Sequence, residues 1–128
     1  MEKSNVEIVL ALTETLSGHK AQNAVALDFR ALEMWTDFFV IGTVTSAAHL
    51  SGLLRHIKDF ANDKNLTFRH SSAGKSTAAG IAAVSITDNI IWDICELGGF
   101  CVVHLMSEQA RDFYELERLW SSAERLLG

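Results

Sequence analysis

The sequence predicts one α/β (α+β) domain, a single mixed β-sheet flanked by helices, with the element order α-β-β-α-(β)-β-β-α. Two observations carry this expectation. Apolar residues recur at helical spacing in three segments and at period two, or in short continuous runs, in the segments between them. A chain of 128 residues, 48% hydrophobic and free of charge blocks or low-complexity tracts, has the size and composition of one folded domain spanning residues 1–128.

The first helix starts at Ser4, which stands three residues before Glu7 in the spacing of a capping box. Val6, Val9, Leu10, Leu12 and Leu16 give it an apolar face, and Gly18 is a natural stop. In AVALDF, Val25, Leu27 and Phe29 share one side of a strand. TDFFVIGTV, from Thr36 to Val44, is apolar almost throughout, as expected of a central strand covered on both faces. Thr45 or Ser46 caps a second helix, in which Leu50, Leu53, Leu54, Ile57 and Phe60 keep helical spacing to about Lys64. Leu66 to Arg69 reads as a short strand, and Ser71 to Gly80 as a solvated loop. The following IAAVSI fits a strand or a helix equally. IIWDICELGGFCVVHLM reads as strand, Gly98-Gly99 turn, strand. Ser107 caps a last helix that places Phe113, Leu116, Leu119, Trp120, Ala123 and Leu127 on or beside its buried stripe.

Composition excludes several function classes. No apolar run reaches the roughly 18 residues that cross a bilayer, so no membrane partner is expected. The start, MEKSNVEIVLALTETL, scatters Glu2, Glu7 and Glu14 where a secretory signal would be basic and then apolar, so a cytoplasmic location is expected. Cys95 and Cys101 lie in apolar runs and read as buried thiols rather than a disulfide. Four zinc ligands at CxxC or HxxxH spacing are lacking. Sixteen acidic against eleven basic residues give a net charge of −5 with no basic patch, which disfavours direct nucleic-acid binding and favours a basic protein partner.

The candidate chemistry is thin. SSAGKST contains Gly-Lys-Ser, but a phosphate loop needs a glycine five positions before Gly74, where this chain has Arg69. Asp93 and Glu96 are odd-spaced on a strand and so point to opposite faces. Asp112, Glu115 and Glu117 read as the solvated face of a helix, placed to complement its dipole. Asp28 and Asp37 approach each other if their strands pair, without an evident third ligand; LDFR has Arg30 where a two-metal nucleotidyl-transfer site would want a second Asp. His104 sits among apolar residues with no nucleophile placed by spacing, and reads as a core or half-buried histidine. Trp92 shares a strand face with Ile90 and Ile94, alternating with Ile91, Asp93 and Cys95, and reads equally as core or binding residue. No cofactor is implied.

The C-terminal half carries Trp92, Glu96-Leu97-Gly98, Val103-His104, Arg111, Tyr114-Glu115-Leu116-Glu117 and Leu119-Trp120 in that order. Taken together, these motifs resemble the ribosomal silencing factor (RsfS/Iojap) family. Upstream, KAQNAVALDFR, TDFFVIGTVTS and His49 are similar to family segments through Lys20, Asp28, Thr36-Asp37 and Thr45-Ser46. Val44 departs from a usual glycine and Ala48 from a common arginine, Gly99-Phe100 lengthen the turn, and the segment from Ser71 to Asn89 is long and lacks the family's Glu-Gly. The resemblance implies a nucleotidyltransferase-like fold without known activity. It further implies binding to the large ribosomal subunit through its fourteenth protein, which blocks joining of the small subunit and represses translation. The partner-binding residues it suggests are Asp37, Trp92, Glu96, Leu97, His104, Arg111 and Tyr114. Phe113, Leu116 and Trp120 are expected in the core. A homodimer stays open as a further partner, and a divergent nucleotidyltransferase-like enzyme is the alternative reading.

Overall fold

The computed structural model describes residues 4–32, 36–70, 84–85, 91–114 and 123–127. Helix α1 (Asn5–Gly18) begins where the Ser4 side chain accepts the Glu7 N–H at 3.2 Å. Strand β1 (Gln22–Asp28) leads through a short 3-10 turn (Arg30–Leu32) towards β2 (Phe38–Val44). Helix α2 (Ala47–Asp63) is capped by Ser46, whose Oγ accepts the His49 N–H at 3.0 Å. Strands β3 (Phe68–His70), β4 (Val84–Ser85), β5 (Ile91–Leu97) and β6 (Cys101–Ser107) follow, then helix α3 (Glu108–Tyr114) and strand β7 (Glu124–Leu127).

The seven strands form one sheet in the order β3-β5-β6-β2-β1-β7, with β4 also paired to β5. Only β2 and β6 run parallel among these described pairings; the others are antiparallel, so the sheet is mixed as the pattern predicts. The apolar run of β2 is buried along its whole length between β1 and β6. On one face of the sheet, Val9, Leu12 and Leu16 of α1 and Leu53, Ile57 and Ala61 of α2 pack on Ala26, Phe38, Val40, Cys95, Leu97, Val103 and Leu105. On the other, Val25, Leu27, Phe29, Phe39, Ile41, Val102 and Met106 cluster with Ala110 of α3. Cys95 and Cys101 are buried free thiols on the helix-covered face.

The C-terminus corrects the expectation of a helix reaching Leu127. Residues Glu124–Leu127 are a strand that pairs antiparallel with the outer edge of β1, Asp28 opposite Glu124 and Ala26 opposite Leu127. An edge strand carries a row of unpaired backbone groups, and pairing them outweighs the weak helical preference of a four-residue end. Ser107 does cap α3, its Oγ accepting the Ala110 N–H at 3.3 Å. The expected core positions Leu116, Leu119 and Trp120, and the loop Ser71 to Gly80, lie outside the described residues, as do the side chains of Phe113 and Tyr114.

The β5–β6 turn spans Gly98, Gly99 and Phe100, one residue longer than a two-residue hairpin, with Leu97 directly opposite Cys101. Gly98 has φ +61° and Gly99 φ +75°, a left-handed backbone that side chains resist. The turn also ties strands together: the Phe100 carbonyl accepts the Phe38 N–H at 3.0 Å and the Thr36 hydroxyl at 3.2 Å.

Candidate partner-binding face

Strand alternation divides β5 between the two faces. Ile91, Asp93, Cys95 and Leu97 are buried on the helix-covered side, while Trp92, Ile94 and Glu96 are half-buried on the side that carries α3. The register sets Trp92 opposite Met106, Ile94 opposite His104, and Glu96 opposite Val102 on β6. The next strand continues each row with Thr43, Ile41 and Phe39. A tryptophan, an isoleucine and a carboxylate therefore stand in line at the margin of a continuous apolar sheet face.

His104 is a polar group buried within that face. Its Nδ1 accepts the Trp92 indole N–H at 3.0 Å, and its ring lies against Phe39 with centroids 4.5 Å apart. An indole N–H can only donate, so the imidazole proton is assigned to Nε2. Nε2 is buried without a hydrogen-bond partner among the described residues. Burial pushes the His104 pKa down to about 3, so the ring is neutral near pH 7. Its one acceptor nitrogen is taken up by the Trp92 indole.

The other sequence-derived candidates separate. Leu97 is 1% exposed and belongs to the core under the helices, which corrects its assignment to a contact surface. Asp37 is exposed at the start of β2, where its carbonyl accepts the Phe29 N–H at 2.7 Å. Arg111 of α3 donates to Thr43 Oγ1 at 2.9 Å and to the Gln22 carbonyl at 3.5 Å, strapping α3 to β2 and β1. Tyr114 ends α3. Thus Trp92, Glu96 and His104 share one face, Arg111 anchors the helix beside it, and Asp37 lies at the turn end of the sheet. Ile94 is the member that the sequence motifs passed over, although its period-two spacing between Trp92 and Glu96 marks it.

Two of the acidic candidates, Asp28 and Asp93, are committed elsewhere. β1 and β2 do pair, but Asp28 turns to Arg30, whose Nη2 and Nε donate to its carboxylate at 2.7 and 3.0 Å. The Arg30 guanidinium holds the Asp28 carboxyl below its ordinary pKa. Asp93, 8% exposed, takes the His70 Nε2 at 2.9 Å on the opposite face from Glu96. Among the described residues no three His, Cys, Asp or Glu side chains are grouped to hold a metal ion. No helix of the described residues is long and apolar enough to cross a membrane.

Residues 2–127 match the family described as "Ribosomal silencing factor during starvation". The chain belongs to the ribosomal silencing factor family. It is 31% identical over 115 residues to "Ribosomal silencing factor RsfS" of Haemophilus influenzae, covering 89% of this chain and 98% of that protein. It is also 31% identical over 87 residues to mouse "Mitochondrial assembly of ribosomal large subunit protein 1", covering 68% of this chain and 33% of the mouse protein. A crystal structure of a Chromobacterium violaceum protein shares the fold with a TM-score of 0.69 at 20% identity, over 93% of this chain and 88% of that one. Family membership makes this chain a silencing factor, a regulatory protein.

Proposed function

We propose that this chain docks on the large ribosomal subunit through its fourteenth protein, blocks joining of the small subunit and so represses translation. The observation that carries the reading is the half-buried Trp92, standing with Ile94 and Glu96 on a sheet face where the buried His104 accepts its indole N–H. A partly exposed tryptophan is among the commonest protein-binding hot spots, and a carboxylate at its rim steers a basic partner. The net charge of −5 suits a basic partner, and ribosomal proteins are basic. The mouse relative's name, which refers to the large subunit, supports the choice of subunit.

The same reading makes the chain a binder rather than an enzyme. Asp28 and Asp93 are each engaged by a cation or an imidazole, and His104 is held neutral in the interior. Trp92→Ala removes a side chain that is only half-buried, so the domain should still melt cooperatively. Its binding to isolated large subunits should weaken by about 2 kcal/mol or more, read by co-sedimentation. Parental binding by this variant removes the face from the partner site, and magnesium-dependent turnover of a nucleoside triphosphate by the parent favours the enzyme alternative.

A further inference from the structure

We propose that His104 is a positioning residue of the binding face: its Nδ1 holds the Trp92 indole in the orientation the partner meets, while His104 itself touches no partner. The proposal rests on the reading of Trp92 as a partner contact.

The two residues are diagonal neighbours across β5 and β6. His104 stands directly opposite Ile94, and Trp92 lies two residues along the same face of β5. That separation lets an indole reach across to an imidazole, and the 3.0 Å bond from Trp92 Nε1 to His104 Nδ1 spans it. Exposure divides the labour. His104 is 5% exposed and beyond a partner's reach, whereas Trp92 is half-buried and presents surface. The acceptor is itself fixed, with Phe39 of β2 against its ring and Ile41 opposite it in register.

The cost of this histidine points the same way. Accepting at Nδ1 forces the proton onto Nε2, which is buried without a hydrogen-bond partner among the described residues. A buried unsatisfied donor destabilises a fold, and a leucine or phenylalanine would not carry that penalty. Core packing alone therefore does not account for an imidazole here; the bond made by its other nitrogen does. A tryptophan already held in its bound orientation loses less rotamer freedom on association than one that must be ordered at contact. Burial keeps the ring neutral, which preserves Nδ1 as an acceptor.

The test uses the isotope-labelled full chain and isolated large subunits. Of the three tryptophan indole resonances, the one lost in Trp92→Phe belongs to Trp92. His104→Leu removes the acceptor, and His104→Asn returns an amide oxygen near the place of Nδ1. In the leucine variant the Trp92 indole proton should shift and exchange faster with solvent, and affinity should fall roughly three- to tenfold, the size of one unrestrained side chain. The asparagine variant should recover part of both. In a Trp92→Phe background, which has no indole N–H, the leucine change should add no further loss.

A leucine variant that frees the indole yet binds like the parent overturns the positioning role alone. Equal losses in the parental and Trp92→Phe backgrounds overturn it as well. Parental affinity in Trp92→Ala takes down the reading of the face and the positioning role with it. If the leucine variant does not fold, the asparagine variant decides. Restored indole protection with near-parental affinity supports the role, and restored protection with lost affinity refutes it.

Discussion

His104 and Asp28 make the acid stability of this fold readable at the scale of single residues. Burial brings the His104 pKa from an ordinary 6.5 to about 3. Between those values the unfolded chain holds a proton that the folded ring refuses, so unfolding takes up a proton and stability falls as pH falls. The contribution is fully present above about pH 6.5 and is lost progressively towards pH 3. Asp28 acts lower on the scale in the same direction. Its carboxyl is held below 3.8 by the Arg30 hydrogen bonds, so its contribution is present above that value and disappears as pH drops beneath it. Melting temperature should therefore decline from about pH 6.5 downwards, and His104→Leu should flatten the upper part of the decline while leaving the part due to Asp28. A parent that melts at the same temperature at pH 7 and at pH 4.5 contradicts this account of the buried imidazole.

Among the elements, the β5–β6 turn is the most sharply specified. A Cβ on Gly98 would lie 2.7 Å from the Phe100 ring, and its φ of +61° strains any side chain. Gly98→Ala should cost about 1–3 kcal/mol in a denaturant melt. Gly99→Ala, with no atom within 4 Å of a new Cβ, should suffer the backbone strain alone and lose less. Both glycines were legible as a turn in the sequence because few residues tolerate that backbone. The helix starts at Ser4 and Ser46 were legible for a similarly local reason, since each hydroxyl accepts an N–H three residues on. What escaped was set by distant partners. Nothing in Glu124–Leu127 announces that the open edge of β1 lies beside it, so a helical spacing was extended over residues that pair as a strand. On β5, alternation alone puts Trp92 and Glu96 on one face and the adjacent Leu97 on the other. Its place beside Glu96 in the motif suggested contact, where the pleat of the strand assigns packing. The His104–Trp92 bond depended on the β5–β6 register, which the motif's spacing does not contain.

For the whole molecule, the proposed docking gives the net charge of −5 a role in how a basic partner would be found rather than how tightly it would be held. Long-range attraction between oppositely charged surfaces raises the encounter rate and is screened within roughly 8 Å at physiological ionic strength. Glu96 is the acid that stands in line with Trp92, and Arg69 lies directly opposite it on β3. A lysine at position 96 would face Arg69 and add cross-strand repulsion of about 0.2–1 kcal/mol, mixing a folding effect with a binding one. Glu96→Gln avoids that, removing the charge while keeping the shape. Association of the parent with large subunits should slow as salt rises, and Glu96→Gln should associate more slowly at low salt with a shallower salt dependence. Dissociation should change little if the carboxylate lies at the rim, because rim charges act on approach. Stopped-flow association at two salt concentrations checks this, and parental rates for Glu96→Gln at both would remove Glu96 from the proposed docking face without bearing on Trp92.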